Sequence, residues 1–236
     1  SPWGVDYDET RDMLYVADYG NYRVLIYDLA SGITNGMNAS YVLGQPDFET
    51  FNGAVDESTT DYVQAVLIEP ESQILYVLDY NNRALVFDVN EIVNGEPAIA
   101  VLGQPDFTSS SRTTSQGSIS QGSYATSMAY DTKNKRLWVS DDFNRRYLSF
   151  DFAKVTSQTQ LPNASFGAPY TQSISYNNQQ GIVACSLFSG SLPQGLAINS
   201  DCSISGAAQS SGSYTFSVAL HDNNGDVGVM TTVKGL

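Results

Sequence analysis

The residues of this chain that could do chemistry are few, and their spacing does not bring them together. His221 is the single histidine in 236 residues. No serine stands in a nucleophile elbow and none has a partner base, so a Ser-His-Asp arrangement has no support. The run Asp222-Asn223-Asn224-Gly225-Asp226 offers the oxygen ligands a hard cation wants. It lacks the later Glu of a calcium loop, and its Asn-Gly pair reads as a hairpin turn. One His and two Cys are too few for a zinc site. Close carboxylates such as Asp6/Asp8 and Asp141/Asp142 read as solvated or turn residues, not as an acid–base couple. The recurring Asp18, Asp79 and Asp141 each open a turn, where a carboxylate bonds nearby backbone. The expectation is therefore no catalytic residue, no metal and no cofactor. Two sequons, Asn38-Ala39-Ser40 and Asn163-Ala164-Ser165, are candidate glycosylation sites. Tyr19, Tyr22 and Tyr80, in turn sequences, are candidate surface-binding residues.

Charge narrows the partners. The formal net charge is −14, from 25 acidic and 11 basic side chains. Such a balance repels nucleic acid and anionic membrane, which bind through Lys and Arg neutralising phosphate. No apolar run approaches the ~18 residues of a membrane span, so no membrane insertion is expected. Ser1-Pro2-Trp3 enters a strand pattern almost at once, and the expectation is a mature or excised fragment.

The elements that would position these residues repeat. DETRDMLYVADYGNYRVLIYD from Asp8, EPESQILYVLDYNNRALVFD from Glu69 and DTKNKRLWVSDDFNRRYLSFD from Asp131 align, with Leu14, Leu75 and Leu137 equivalent. The periods are 61 (75 − 14) and 62 (137 − 75) residues. A second element recurs as YVLGQPDF from Tyr41 and AVLGQPDF from Ala100, and decays to ASFGAPY from Ala164. Short apolar runs rich in β-branched and aromatic residues flank Asp/Asn/Gly turns, so each unit reads strand, hairpin, strand. Near-continuous apolarity predicts strands covered on both faces. No helical period of useful length appears. The stretch Thr108–Ser123 has 14 of 16 residues that are Ser, Thr, Gly or Gln and reads as a long surface loop.

LYVADYGNYRVLIYD resembles the NHL repeat, whose usual form is LYVAD-x-x-N-x-RV-x-VFD, and VLGQPDF is similar to the variant common in bacterial secreted NHL proteins. The resemblance covers residues 1–167 as three repeats of about 61 residues. The third departs at Ser140, in place of a small apolar residue, and at Tyr147, in place of Val. It implies an all-β protein: a partial, three-blade propeller of four-stranded blades, binding ligands or proteins at a face or the central channel. Arg23 and Arg146 fall on the family's arginine position, which implies a structural contact between strands. The metal-binding His or Glu sets of enzymes on related propellers have no counterpart here. Propellers close with about 4–8 blades. Three leave two blade faces to be covered by a second chain, the following domain or further blades. Residues 1–111 carry 3 basic and 18 acidic side chains (−15), and residues 112–168 carry 7 and 4 (+3), so the two ends of the arc differ in sign.

From residue 168 to 236 the chain turns to short strands separated by Gly and Ser. Leu192-Pro193-Gln194-Gly195-Leu196, Ile204-Ser205-Gly206 and Gly212-Ser213-Tyr214-Thr215-Phe216 resemble the Ig-like and cadherin-like modules of bacterial surface proteins. Alternation along Tyr214–Leu220 fits a strand of such a β-sandwich. That family usually has an aromatic residue where Cys185 stands and a glycine where Cys202 stands. Because these are the only two cysteines, the paired departures imply a Cys185–Cys202 disulfide, and with it an oxidising compartment.

The function expected is a non-catalytic extracellular or cell-surface module, bacterial in origin, that mediates protein contacts, self-association into a dimer or polymer included. A structural subunit of a filament or surface layer is the first alternative. A carbohydrate-binding adhesin using Tyr19, Tyr22 and Tyr80 is the second.

Overall fold

The computed structural model describes residues 1–122, 127–151, 154–155, 161–177, 184–221 and 227–234. They fall into two compact units, Ser1–Phe150 and Asp151–Leu236. Among them there is no α-helix, only a single 3-10 turn at Tyr19–Asn21.

In the first unit each repeat becomes an antiparallel meander. The first sheet runs β1 (Pro2–Asp8), β2 (Met13–Asp18), β3 (Arg23–Asp28), β4 (Tyr41–Leu43) in that order. The second runs β5 (Ala65–Glu69), β6 (Ile74–Asp79), β7 (Arg83–Asp88), β8 (Ala100–Leu102). The third has three strands, β9 (Met128–Asp131), β10 (Arg136–Asp141) and β11 (Arg146–Asp151). The YVL and AVL that open the recurring element are thus the fourth strands of the first two sheets. The hairpins close on non-glycine residues held left-handed at repeated positions: Asp12, Gln73 and Lys135 in the first turn, Tyr22, Asn82 and Arg145 in the second.

Period-2 geometry decides which side chains meet. Met13, Tyr15, Ala17, Val24 and Ile26 line one side of the first sheet and form one buried cluster with Leu75, Val77, Leu85 and Phe87 of the second. Every residue of β6, and every residue of β7 before Asp88, is buried, as the unbroken apolar run predicts for a strand covered on both faces. In β2 and β3 the burial alternates, because only one side of the first sheet is covered. The first strands come together, β1 against β5 and β5 against β9.

The second unit comprises β12 (Lys154–Val155), β13 (Pro169–Ser173), β14 (Tyr176–Asn177), β15 (Ala184–Gly190), β16 (Leu196–Ile198), β17 (Ser203–Ala207), β18 (Thr215–His221) and β19 (Val227–Lys234). One sheet has the order β14-β12-β19-β18-β15 and the other β13-β17-β16. They enclose one core that includes Ile174, Leu196, Ile204, Phe216, Val218 and Leu220. Phe216, Val218 and Leu220 point inward at every second residue, matching the alternation read from sequence.

Three expectations need correction. The units divide at Phe150/Asp151, earlier than the expected 167/168, because Lys154 and Val155 already pair with β14 and β19 in the sandwich sheet. The segment ASFGAPY does not complete the third meander. The amide of Gly167 donates to Ala208 O, Pro169 pairs with Ala207, and Ala164 packs on the sandwich core. Finally, the Ser/Thr-rich loop is not wholly on the surface. Ser118, Ile119, Ser120 and Gln121 are buried, held by the Ser120 amide donating to Asp141 Oδ1 at 2.7 Å.

Candidate functional site

The site is built at the tips of the second hairpin of each repeat. There the Asp and Arg of the repeat pair: Arg23 Nε with Asp18 at 2.9 Å, Arg83 Nε with Asp79 at 3.1 Å, Arg146 Nε with Asp141 at 2.6 Å. Each guanidinium also donates across to loop carbonyls. Arg23 reaches Phe48 O. Arg83 reaches Asp56 O at 3.0 Å, Phe107 O at 2.5 Å and Thr59 O at 2.9 Å, and Arg146 reaches Ser115 O and Ser118 O. The fork of an arginine suits this role, since it satisfies several acceptors from one rigid group. Arg23 and Arg146 thus tie each tip to a neighbouring loop. Arg83 is the most buried of the three, and burial drives the Asp79 carboxyl up to about 6 while the Arg83 charge holds it down.

The solvated reading expected of the pairs Asp6/Asp8 and Asp141/Asp142 is overturned for Asp8 and Asp141, which are fully buried and accept turn and loop donors. Asp79 is buried as well and accepts the Asn81 amide of its own turn. Asp8 takes the Thr10 amide and hydroxyl and the Gln73 amide group. Asp6 accepts the Ile68 amide of the next sheet at 2.8 Å.

The glutamine of VLGQPDF locks the tip in place, a role sequence reasoning missed although the motif's recurrence signalled it. Gln45 Nε2 donates to Tyr22 O at 2.8 Å and to Asn52 O at 2.9 Å. Gln104 Nε2 repeats this on Asn82 O and Ser111 O, both at 2.9 Å. The left-handed residue of each tip thus presents its carbonyl to the glutamine. The preceding Gly44 (φ +77°) and Gly103 (φ +85°) are left-handed too, and a Cβ there would meet Thr60 or Ile119.

Above this frame lies a band of aromatic rings. Trp3 stacks on Tyr19 at 4.0 Å between ring centres and 9° between planes. Tyr19 meets Tyr62 at 4.8 Å, Tyr22 meets Tyr62 edge-on at 4.6 Å, and Tyr62 faces Tyr80 edge-on at 6.0 Å. Arg112 continues the band, its guanidinium 5.5 Å from the Tyr80 ring and 5.1 Å from that of Phe143. Trp3 and Phe143 are exposed, while Tyr19, Tyr22, Tyr62 and Tyr80 are half-buried. The three tyrosines singled out from sequence are thereby brought together, with Tyr62 as the ring that joins them. The hydrogen bond between Tyr62 and Tyr22 pushes the Tyr22 hydroxyl up to about 12, so that phenol stays neutral at physiological pH. Such a band can stack flat apolar or CH-rich surfaces and donate or accept hydrogen bonds at its edges.

The sequons lie apart. Asn38 and Asn163 are both exposed, the first in the first unit and the second in the second. The backbone of His221 ends β18, and the run from Asp222 to Asp226 lies outside the described residues.

In the second unit the disulfide joins Cys185 of β15 to Cys202, which immediately precedes β17, across a Cα separation of 4.8 Å. It links the two sheets. Cys202 holds φ +63° in the turn where its amide donates to Asn199 O, which is the physical reason a glycine suits this position. The profile of the family described as "Putative Ig domain" matches residues 153–234. This segment is an Ig-like domain. Its start agrees with the compact unit that begins at Asp151. Among solved structures, this chain is similar to PorZ, an essential bacterial surface component of the type-IX secretion system of Porphyromonas gingivalis. The alignment covers 100% of this chain and 30% of that one, at 9% identity and a TM-score of 0.43. No curated protein sequence matches it.

Proposed function

We propose that this chain is a non-catalytic binding and assembly module of a bacterial cell surface, its three meanders serving as NHL-type propeller blades and followed in the sequence by the Ig-like domain. The aromatic band from Trp3 to Phe143 carries the reading. It collects rings from three successive repeats on tips braced by Asp–Arg ion pairs, and rigid aromatic rings give contact area at low entropic cost. The disulfide fits an oxidising, extracellular compartment. The net charge of −14 disfavours nucleic acid and anionic lipid as partners. A protein ligand is the leading partner class. Trp3→Ala with Tyr80→Ala should abolish retention of a purified surface partner on the immobilised chain while leaving circular dichroism unchanged. Retention that survives both substitutions defeats the assignment. The accessible Trp3 and Phe143 rings also favour a second reading, a carbohydrate adhesin, because pyranose faces stack on open aromatic rings. Glycan-array binding lost in Tyr19→Ala and Tyr80→Ala decides for it. Assembly into a filament or surface layer is the third reading, and polydisperse high mass in light scattering would favour it.

A further inference from the structure

The Ig-like domain carries a cleft of about 300 Å³, lined by residues of the second unit. Pro193 and Ala208 are its buried lining, and Asn163, Phe166, Ser211 and Ser213 its exposed lining. None of the residues around it is charged, although the chain carries a net charge of −14. The volume is at the small end of ligand clefts, about 300–1,000 Å³, and suits one or two sugar-sized rings.

Hydrogen bonds hold its walls in place. The Gly167 amide donates to Ala208 O at 2.8 Å, which ties the segment bearing Asn163 and Phe166 to the buried lining. Ser210 Oγ accepts the Gln194 amide at 3.0 Å and the Tyr214 hydroxyl at 2.7 Å, and the Gln209 amide donates to Gln194 O at 2.7 Å. Ser210 is thus spent on bracing the segment that carries Ser211 and Ser213. The side chains of Asn163, Ser211 and Ser213 make no hydrogen bond among the described residues, so their donors and acceptors are available to a ligand. Phe166 is 75% exposed, an open ring at the same cleft.

One amide and two hydroxyls around an open aromatic ring, with no charge, are complementary to a small ring that has an apolar CH face and hydroxyl-bearing edges. Amide and hydroxyl groups both donate and accept, as sugar hydroxyls do, and the aromatic face covers the CH groups. A charged ligand would give up hydration with no opposite charge to replace it. We propose that this cleft binds a neutral pyranose, stacked on Phe166 and hydrogen-bonded by Asn163, Ser211 and Ser213. The braced walls reduce the ordering that binding must impose, and a Kd on the order of 1 mM is expected for so small a ligand. The site shares no residue with the aromatic band of the first unit, so either can fail alone.

The test is saturation-transfer NMR on the full chain, made in a host without asparagine glycosylation so that no sugar attached to Asn163 fills the cleft. The probes are the methyl β-glycosides of glucose, galactose and N-acetylglucosamine, with glucuronate as the charged counterpart of glucose. At least one neutral glycoside should bind with the stated Kd, receiving saturation most strongly on the protons of one ring face. Binding should weaken at least tenfold in Phe166→Ala and, separately, in Asn163→Ala, and should persist in Tyr80→Ala of the first unit. Asn163 and Phe166 are exposed, so circular dichroism should stay unchanged in both variants. No binding of any of the three glycosides overturns the proposal. So does binding that survives Phe166→Ala, that is lost in Tyr80→Ala, or that is tighter for glucuronate than for the glucoside.

Discussion

Replacing Arg83 with Ala should destabilise the first unit far more than the same change at Arg23, although both arginines occupy one position of the repeat. Arg83 and Asp79 are both fully buried, and the guanidinium satisfies Asp79, Asp56 O, Thr59 O and Phe107 O at once. Its removal leaves a carboxylate and three carbonyls without their donor. Breaking one side of a buried pair costs about 3–5 kcal/mol, most of it the stranded charge. The Arg23–Asp18 pair keeps 16% and 13% side-chain exposure, where water takes over much of the lost interaction, and about 1 kcal/mol is expected. At roughly 2–4 °C per kcal/mol for a domain of this size, the melting temperature should fall on the order of 10 °C for Arg83→Ala and about 3 °C for Arg23→Ala. The pH dependence separates a stranded charge from lost packing. Burial already lifts Asp79 to about 6, and loss of Arg83 lifts it further. An acid whose folded value is raised keeps its proton in the fold while the unfolded chain has lost it. Stability therefore rises as pH falls through the folded value towards the unfolded one near 3.8. The deficit of Arg83→Ala should be smaller at pH 5 than at pH 8, and Asp79→Asn with Arg83→Met should recover part of it at pH 8. Calorimetry at both pH values checks this. Equal losses at Arg83 and Arg23, or a deficit indifferent to pH, would refute the reasoning.

Further outcomes are expected elsewhere. Alkylation of the unreduced protein should add no label, and Cys185→Ser with Cys202→Ser should destabilise the Ig-like domain by roughly 3 kcal/mol, the scale for a loop of 17 residues, while leaving the first unit's transition in place. Glu96 is half-buried with an unpartnered Oε1, and burial raises its carboxyl to about 7, so Glu96→Gln should raise the melting temperature at pH 8 and have little effect at pH 5; a gain of equal size at both would contradict it. Gly44→Ala places a Cβ 2.3 Å from Thr60 Oγ1 at a left-handed φ and should cost well over the ~1 kcal/mol expected of Gly36→Ala, whose left-handed position is open; denaturant midpoints compare the two.

The sequence by itself determined the local structure. Hairpins follow from Asp-x-x-Asn turns between apolar runs, and strand identity follows from β-branched and aromatic residues, because these are near-neighbour effects of backbone conformation and side-chain shape. The inward alternation of Phe216, Val218 and Leu220 was legible for the same reason. The disulfide was legible through two paired departures from a familiar pattern. What tertiary structure decided is everything that depends on which distant residue arrives next. Asp8 and Asp141 read as solvated or turn residues, and only the packed structure shows that both are buried. ASFGAPY looked like a decayed repeat element until hydrogen bonding to residues near Ala208 assigned it to the sandwich. The glutamine of VLGQPDF repeats visibly, yet its acceptors, Tyr22 O and Asn82 O, lie 23 and 22 residues away in sequence. Tyr62 carries no motif, and it becomes the centre of the aromatic band because the second repeat begins where the first repeat's tip ends. Hydrogen bonds and ring contacts of this kind act over a few ångströms of space and are blind to separation along the chain. Periodicity could reveal the strands and their faces, but only the packed sheets could show which side chains meet across them.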